Sequence, residues 1–423
     1  MVIGEKYKNT FYAPKGLINR LDKYKGDYLR LFVFFVLIFS FSYGQEVVHV
    51  DERYQSAAKC KVCHKRIVDE WSTSWHSKSH FNSNEYIRKS MKYYARKTRK
   101  SLNSVKVQCA TCHNPRISVT KTDQDYEIAA IMGLDKGSKV NKAVNDDSIA
   151  EGINCVVCHN IDKIHDEYDA SKRGIDRVEW TPSGTMTGPY KDAKSPYHKT
   201  IYHDFMSKTP NRLCFVCHAN DRSVKGLVFT NMEKEYKSNK SCVSCHMGPQ
   251  RHDVAATYSF NGKKKIRNVR NHGFMGAHIE SMWQGALDIK VQVKGNKLVV
   301  NIINPQPHNI PSGFGGRELI LDIKYKDANA QILKQRSLSL TTTYKRRRDK
   351  VSSTPHLAEE ASKSLSIPAN SKKSFVVKRF KGASSVEVVL SYKLVNDEIR
   401  KLLDLKDPIY SKKFFIKKAI KDL

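Results

Sequence analysis

Cysteine is absent from most of this 423-residue chain, because none occurs before position 60 or after position 245. The ten cysteines that are present all belong to one five-residue pattern, Cys-x-x-Cys-His, and none is left over. A set of disulfide bonds would not require the same spacing of cysteines, followed by histidine, in every copy. The five copies are Cys60/Cys63/His64, Cys109/Cys112/His113, Cys155/Cys158/His159, Cys214/Cys217/His218 and Cys242/Cys245/His246.

Two other uses of paired cysteines fit the pattern poorly. A structural zinc site takes two such pairs, or one pair with two histidines, so an odd number of pairs is unsuitable. A thioredoxin-like pair would occur once and not five times. Cys-x-x-Cys-His is typical of c-type haem attachment, in which two thiols add to the haem vinyl groups and the adjacent imidazole reaches the iron. We therefore predict five c-type haems covalently bound by the ten cysteines, with His64, His113, His159, His218 and His246 as proximal iron ligands.

The chain also lacks an apolar run of about 20 residues, the length that spans a bilayer. Its longest apolar run, from Leu31 to Tyr43, follows a basic stretch and suits the core of a secretory signal peptide. We predict residues 1–44 as the signal peptide, cleaved after Gly44, and hence a periplasmic protein. The 30 residues before the run are long for such a signal. Either the true start lies downstream, which we favour, or the segment is kept as a membrane anchor.

Acidic residues are few compared with basic ones, 42 against 74, and the formal net charge is +32. Strongly basic chains bind nucleic acid, acidic proteins or anionic membrane surfaces. An exported haem protein meets little nucleic acid, so we expect no nucleic-acid partner. We take an ordinary solvated surface as the first explanation of this charge. The second is docking to redox partner proteins with an acidic docking surface, or to an anionic membrane surface, because opposite charges steer molecules into encounter.

Two regions follow the predicted signal peptide. Residues 45–284 hold all five motifs among polar and turn-forming stretches, which predicts a mainly α and irregular pentahaem cytochrome c domain with haems in its core. Residues 285–423 predict an all-β, antiparallel, sandwich-like domain, because apolar residues alternate with polar ones. The alternation runs through 287–293, 298–302, 319–325 and 386–394, and Gly295-Asn296 offers a hairpin turn. The last residues, to Leu423, predict a short basic helix.

The ligand on the second face of each iron decides between electron transfer and catalysis. Two histidines saturate the iron, whereas an open face admits a substrate. Eleven histidines lie outside the motifs, which is enough for all five irons. His76 and His80 share one helical face if residues 70–81 are helical.

Several segments near the motifs resemble the multihaem cytochromes c related to tetrahaem cytochrome c-554 and to the octahaem hydroxylamine oxidoreductases. The motif-like segments are Trp71-x-x-Ser74-x-His76, Glu151-Gly152-Ile153 before the third motif, Ser195-Pro196-Tyr197-His198, Cys242-Val-Ser-Cys245-His246-Met247, His272-Gly273-Phe274-Met275-Gly276 and Asn304-Pro-Gln-Pro-His308-Asn-Ile-Pro311-Ser312-Gly313. Pro307 replaces a glycine of the family pattern. The resemblance covers most of residues 56–325.

The resemblance implies the distal iron ligands. By position they are His76, His165, His198, His272 and His308, with His80, His203, His252 and His278 in reserve. A ligand at His308 would tie the β-domain to the haem domain.

Two functions are compatible with these sequence features. The first, which we favour, is a periplasmic pentahaem cytochrome that carries electrons between a membrane quinol-oxidising partner, a quinol dehydrogenase, and a terminal reductase or other acceptor. The second is a multihaem oxidoreductase with one open-coordinate haem that acts on a small nitrogen or sulfur compound. An open haem would be high-spin and would bind carbon monoxide when reduced.

Overall fold

The computed structural model describes residues 56–166, 173–258, 262–346, 351–362 and 364–423. The predicted signal peptide, 1–44, lies outside these residues. Ten α-helices occur in the described part. They are α1 (Ala57–Ser72), α2 (Glu85–Thr98), α3 (Leu102–His113), α4 (Gln124–Ile131), α5 (Lys139–Val144), α6 (Cys155–His159), α7 (Asn211–His218), α8 (Met232–Glu235), α9 (Cys242–His246) and α10 (Asp397–Leu402).

The strands form short ribbons in the first part of the chain and longer sheets in the second. The short strands are β1 (Ile161–Ile164), β2 (Val178–Trp180), β3 (Thr185–Gly188), β4 (Lys199–Tyr202), β5 (Asp221–Arg222), β6 (Val228–Thr230), β7 (Arg251–Ala256) and β8 (Lys265–Val269). The later strands are β9 (Asp288–Lys294), β10 (Lys297–Asn304), β11 (Glu318–Lys326), β12 (Ile332–Thr341), β13 (Tyr344–Arg346), β14 (Val351–Ser352), β15 (Glu360–Ala361), β16 (Ser371–Lys378), β17 (Ser385–Lys393) and β18 (Phe414–Asp422).

The part of the chain that carries the motifs has several small apolar clusters. One joins α3, α4 and α5 through residues such as Val107, Tyr126 and Val140. Another joins β1 and α7 through Ile164 and Val216. Each cluster contains few buried residues compared with the length of chain that packs around it.

The later strands form two antiparallel sheets with the orders β16-β10-β9 and β12-β11-β17-β18. Strands β9 and β10 pair directly across the turn, Lys294 opposite Lys297, and Gly295 has a φ of +58°, which a two-residue hairpin turn requires. Alternate residues of both sheets, among them Ile302, Leu321 and Leu390, are fully buried in one common core. The predicted antiparallel strands are therefore confirmed.

Helix α2 connects the motif region to this core. Met91 and Tyr94 are buried in the same cluster as the sheet residues. The Glu85 carboxylate at the start of α2 also accepts hydrogen bonds from the backbone of Lys406 and Asp407, at 2.8–3.2 Å. Residues on both sides of position 284 thus share one core.

One local prediction was wrong, and the condition for a shared helical face of His76 and His80 is not met. The segment 414–422 is the edge strand β18 and not a helix, because Phe414 and Ile416 enter the core and pair the segment with β17. Residues 70–81 do not form a continuous helix, since α1 ends at Ser72 and turns follow.

Candidate functional site: five histidine-terminated motif helices

Each Cys-x-x-Cys-His motif lies in a helical segment that ends or breaks at its histidine. Helices α3, α6, α7 and α9 end at His113, His159, His218 and His246. In α1, which continues beyond the motif, His64 alone has non-helical angles, φ −112° and ψ 39°. Cysteines three residues apart lie on one side of a helix, so both thiols can reach one haem. The break at the histidine frees its ring to turn toward the same side.

Three motif histidines are oriented by backbone carbonyls. The Nδ1 atoms of His64, His159 and His246 lie 2.6, 2.8 and 2.6 Å from the carbonyl oxygens of Ala255, Thr187 and Met275. A carbonyl only accepts, so Nδ1–H donates and Nε2 is left with its lone pair. A neutral imidazole held in this way is the form that binds iron.

Three motif histidines also face a second histidine ring. The ring centres of His218 and His76 are 6.3 Å apart. Those of His159 and His272, and of His246 and His308, are 6.4 Å apart. An imidazole nitrogen binds a transition metal at about 2 Å and the ring centre lies about 1 Å behind it, so two rings on one ion stand about 6 Å apart. These residues therefore fit haem iron between two imidazoles.

Hydrogen bonds to backbone carbonyls orient two of the facing rings in the same way. His272 Nδ1 donates to the carbonyl of Arg270 at 3.0 Å, and His308 Nδ1 donates to that of Asn309 at 2.9 Å. Burial, with smaller contributions from His218 and His246, lowers the pKa of His76 to about 3. Burial likewise lowers the pKa of His272 to about 4. These rings are neutral at pH 7 and able to bind a metal.

The other two predicted distal ligands are placed differently. His198 is partly buried, its Nδ1 donates to the carbonyl of Lys199 at 3.1 Å, and it interacts electrostatically with His64. His165 lies with Nε2 2.8 Å from the Glu179 carboxylate. The structure therefore does not bring His165 opposite a motif histidine.

None of the four reserve histidines shares a close ring pair with a motif histidine in the described residues. His80 Nδ1 accepts from the Asn82 N–H at 3.2 Å, which leaves the proton on Nε2. His203 Nε2 pairs with Asp162 at 3.0 Å, and His278 stacks on Trp75 at 4.6 Å. His252 is exposed, with Nδ1 3.1 Å from the Asn268 side chain.

His356 is a partly buried histidine that no sequence motif singled out. It follows Pro355 in a short 3-10 turn between β14 and β15, and its ring meets Phe229 edge-on at 4.8 Å. Its carbonyl accepts from Val224 at 3.0 Å. Burial lowers the pKa of His113 to about 4, and His356 is the next largest cause. Only the count of non-motif histidines could have drawn attention to it.

Thiols of different motifs lie side by side. The thiols of Cys60 and Cys155, of Cys112 and Cys217, and of Cys214 and Cys242 are close enough to shift each other's pKa. The contacts lower the pKa of Cys60 and raise that of Cys155. In a c-type cytochrome these sulfurs are thioethers at the haem edges. The contacts therefore bring the first motif beside the third, the second beside the fourth, and the fourth beside the fifth.

The family described as "Cytochrome c554 and c-prime" matches residues 59–160 and 185–269, a range that includes all five motifs. A penta-heme cytochrome c552 from Thermochromatium tepidum has the same fold, with a TM-score of 0.64 over 88% of this chain and 100% of that chain, at 19% identity. The chain belongs to a multihaem cytochrome c family. Its cofactor is c-type haem and its general role is electron transfer.

Two other solved structures match only about a third of this chain, and their TM-scores are too low to show a common fold. The Northeast Structural Genomics Consortium target SoR45 has a TM-score of 0.15 and 12% identity over 32% of this chain and 86% of that chain. An endonuclease/exonuclease/phosphatase from Beutenbergia cavernae has a TM-score of 0.13 and 7% identity over 33% of this chain and 24% of that chain. No curated protein matches this multihaem cytochrome.

Multihaem c-type cytochromes are typically exported from the cytoplasm. Among the described residues of this one, no helix is both long and apolar enough to cross a membrane.

Proposed function

We propose that this multihaem cytochrome is an exported electron carrier with five covalent haems, which passes electrons from a membrane quinol-oxidising partner toward a terminal acceptor. The observation that carries the proposal is the facing of imidazole rings at 6.3–6.4 Å for three of the five motif histidines. Iron held between two imidazoles exchanges electrons without binding a substrate. Five Cys-x-x-Cys-His motifs support the count of five haems.

The thiol contacts support a continuous electron path. The first and third motifs meet at Cys60 and Cys155, and Cys158 of the third motif interacts electrostatically with Cys214 and Cys217 of the fourth. The fourth motif also contacts the second and the fifth. An electron that enters at one motif can therefore reach all the others through the fourth.

We assign the distal ligands by proximity. His76, His272 and His308 serve the fourth, third and fifth motifs, whose histidines they face. His198 serves the first motif, because its ring interacts with His64. For the second motif we assign His356 in the place that the resemblance gives to His165, because the Nε2 of His165 is held by Glu179.

A second candidate function rests on the two motif histidines that face no second imidazole ring. In the described residues the rings of His64 and His113 belong to none of the close ring pairs, whereas the other three motif histidines do. An open iron there would make the protein an oxidoreductase for a small nitrogen or sulfur compound. His198 and His356 argue against this, because they lie in the electrostatic surroundings of His64 and His113 respectively.

A redox titration separates the two functions. The purified, matured protein is titrated anaerobically with known amounts of an electron donor, and the reduced protein is then mixed with nitrite, hydroxylamine or sulfite. A carrier should take up five electrons per chain and should not be reoxidised catalytically by any of these compounds. Sustained turnover of one of them would overturn the carrier proposal in favour of the oxidoreductase.

A further inference from the structure

We propose that the surface around the first motif is the docking face for an acidic redox protein, an inference that rests on the proposed electron-carrier function. This first-motif face consists of the described residues in three segments, 59–70, 190–202 and 251–270. The haem of the first motif would lie beneath it, and Cys60 connects that motif to the third. The face would thus be where electrons enter or leave the protein.

Hydrogen bonds and an ion pair hold the three segments together. Thr257 N–H donates to the carbonyl of Cys63 at 2.7 Å, and His64 donates to that of Ala255 at 2.6 Å. The Arg267 guanidinium binds the Asp192 carboxylate with both terminal nitrogens, at 2.7 and 3.0 Å. The hairpin β7–β8 therefore joins the first motif to the segment that carries His198.

This face carries many more positive than negative side chains. The three segments hold thirteen lysines and arginines against four carboxylates. Each carboxylate is already paired within the face: Asp69 with two lysines, and Glu70, Asp192 and Asp253 with arginines. The exposed Lys59, Lys194 and Lys263 belong to no ion pair among the described residues. Unpaired surface cations attract an acidic partner and raise the rate of encounter.

Exposed apolar side chains lie among these cations. Val62 is 69% exposed, Tyr258 50% and Ile266 51%. Val62 lies two positions after Cys60, about 200° further round the helix, so its side chain points away from the side that the two motif cysteines share. Apolar contacts surrounded by charges are typical of an interface in which charge sets the encounter and apolar contact excludes water.

A second exposed apolar patch does not support the same argument. Ile131, the last residue of α4, and Met132, which follows it, are 73% and 58% exposed. Residues 119–146 around them carry four lysines and five carboxylates, so their charge favours no partner of either sign. Charge complementarity therefore selects the first-motif face.

Charge reversal on the face tests the proposal. The variant Lys59→Glu/Lys194→Glu/Lys263→Glu is compared with a matched control, Lys290→Glu/Lys297→Glu/Lys372→Glu. The control changes the same number of exposed lysines, on the sheet β16-β10-β9 of the C-terminal part. The probe is reduced flavodoxin, an acidic redox protein, and stopped-flow absorbance follows electron transfer to the haems. If the face variant does not mature with all its haems, Lys→Gln changes at the same positions replace it.

The face variant should accept electrons from flavodoxin about ten-fold more slowly than the native protein at low ionic strength, and the difference should shrink as salt screens the charges. The control should change the rate less than two-fold. Equal slowing of both variants, or no slowing of either, would overturn the proposal. So would loss of binding to phosphatidylglycerol vesicles by the face variant with an unchanged flavodoxin rate, because the face would then bind membranes.

Photoreduced deazaflavin, a neutral reductant, separates this proposal from the proposed function. It should reduce all haems of the native protein and of both variants at similar rates, because no charge steers it. If the native protein fails to take up electrons from deazaflavin, the carrier function is wrong. If it takes them up and the flavodoxin rates do not distinguish the variants, only the docking face is wrong.

Discussion

Replacing His308 with alanine should open one iron in this cytochrome. The His308 ring lies 6.4 Å from that of His246, with 28° between the ring planes, and its Nδ1 donates to the Asn309 carbonyl. Alanine keeps only Cβ, so no nitrogen remains within reach of the metal. One of five proposed irons is affected, so about a fifth of the haem should change from low to high spin, and each reduced chain should bind about one carbon monoxide.

The assay is the electron paramagnetic resonance spectrum of the oxidised protein together with a carbon monoxide titration of the reduced protein. His252→Ala is the matched control, because this exposed ring contacts Asn268 and faces no motif histidine. The control should keep the native spectrum. If His308→Ala retains all covalent haem and still gives an unchanged low-spin spectrum without binding the gas, the ligand assignment is refuted.

Three further results are expected. His356→Ala should make one haem high-spin, whereas His165→Ala should leave all haems low-spin. The visible spectra of both variants measure this, and a high-spin haem in His165→Ala alone would show that His165 and not His356 is the ligand. Ile302→Ala removes a fully buried side chain from the sheet core and should lower the free energy of unfolding by about 3 kcal/mol, measured in urea; a loss below about 1 kcal/mol would mean that this core is loosely packed. Burial raises the pKa of Glu70, but the His272 N–H and two arginines outweigh it and lower the pKa overall. The ionised Glu70 side chain therefore stabilises the folded protein at pH values above the pKa that it has in the unfolded chain. This stabilisation is lost as the pH falls through its lower pKa in the folded protein. Glu70→Gln should cost about 1 kcal/mol at pH 7 and less in acid, and thermal unfolding with a pH-independent difference would contradict this.

The haem attachment residues can be proposed from the sequence alone because covalent chemistry fixes their spacing within one turn of helix. The strands at 287–293 and 298–302 could be predicted for a similar local reason, since alternation with a turn at Gly295-Asn296 determines a hairpin.

The distal ligands depend on long-range folding, which local patterns do not encode. His76 comes from the turn after α1 and faces His218, which lies 142 positions later in the chain. His165 is close in sequence to a motif, but a carboxylate on the neighbouring strand β2 binds its ring. His356 lies in a short turn between two strands, and no pattern in the surrounding sequence identifies it as a ligand. The strand β18 was missed because its many lysines hide the alternation of Phe414 and Ile416.

Electron paramagnetic resonance of the native, matured protein, with and without carbon monoxide on the reduced form, distinguishes five haems with two histidine ligands each from a protein with an open haem. We predict five haems per chain, wholly low-spin iron and no reaction with the gas, because each iron has histidine on both faces. A high-spin haem that binds carbon monoxide in the native protein would show that the carrier proposal is wrong and would identify an open catalytic site.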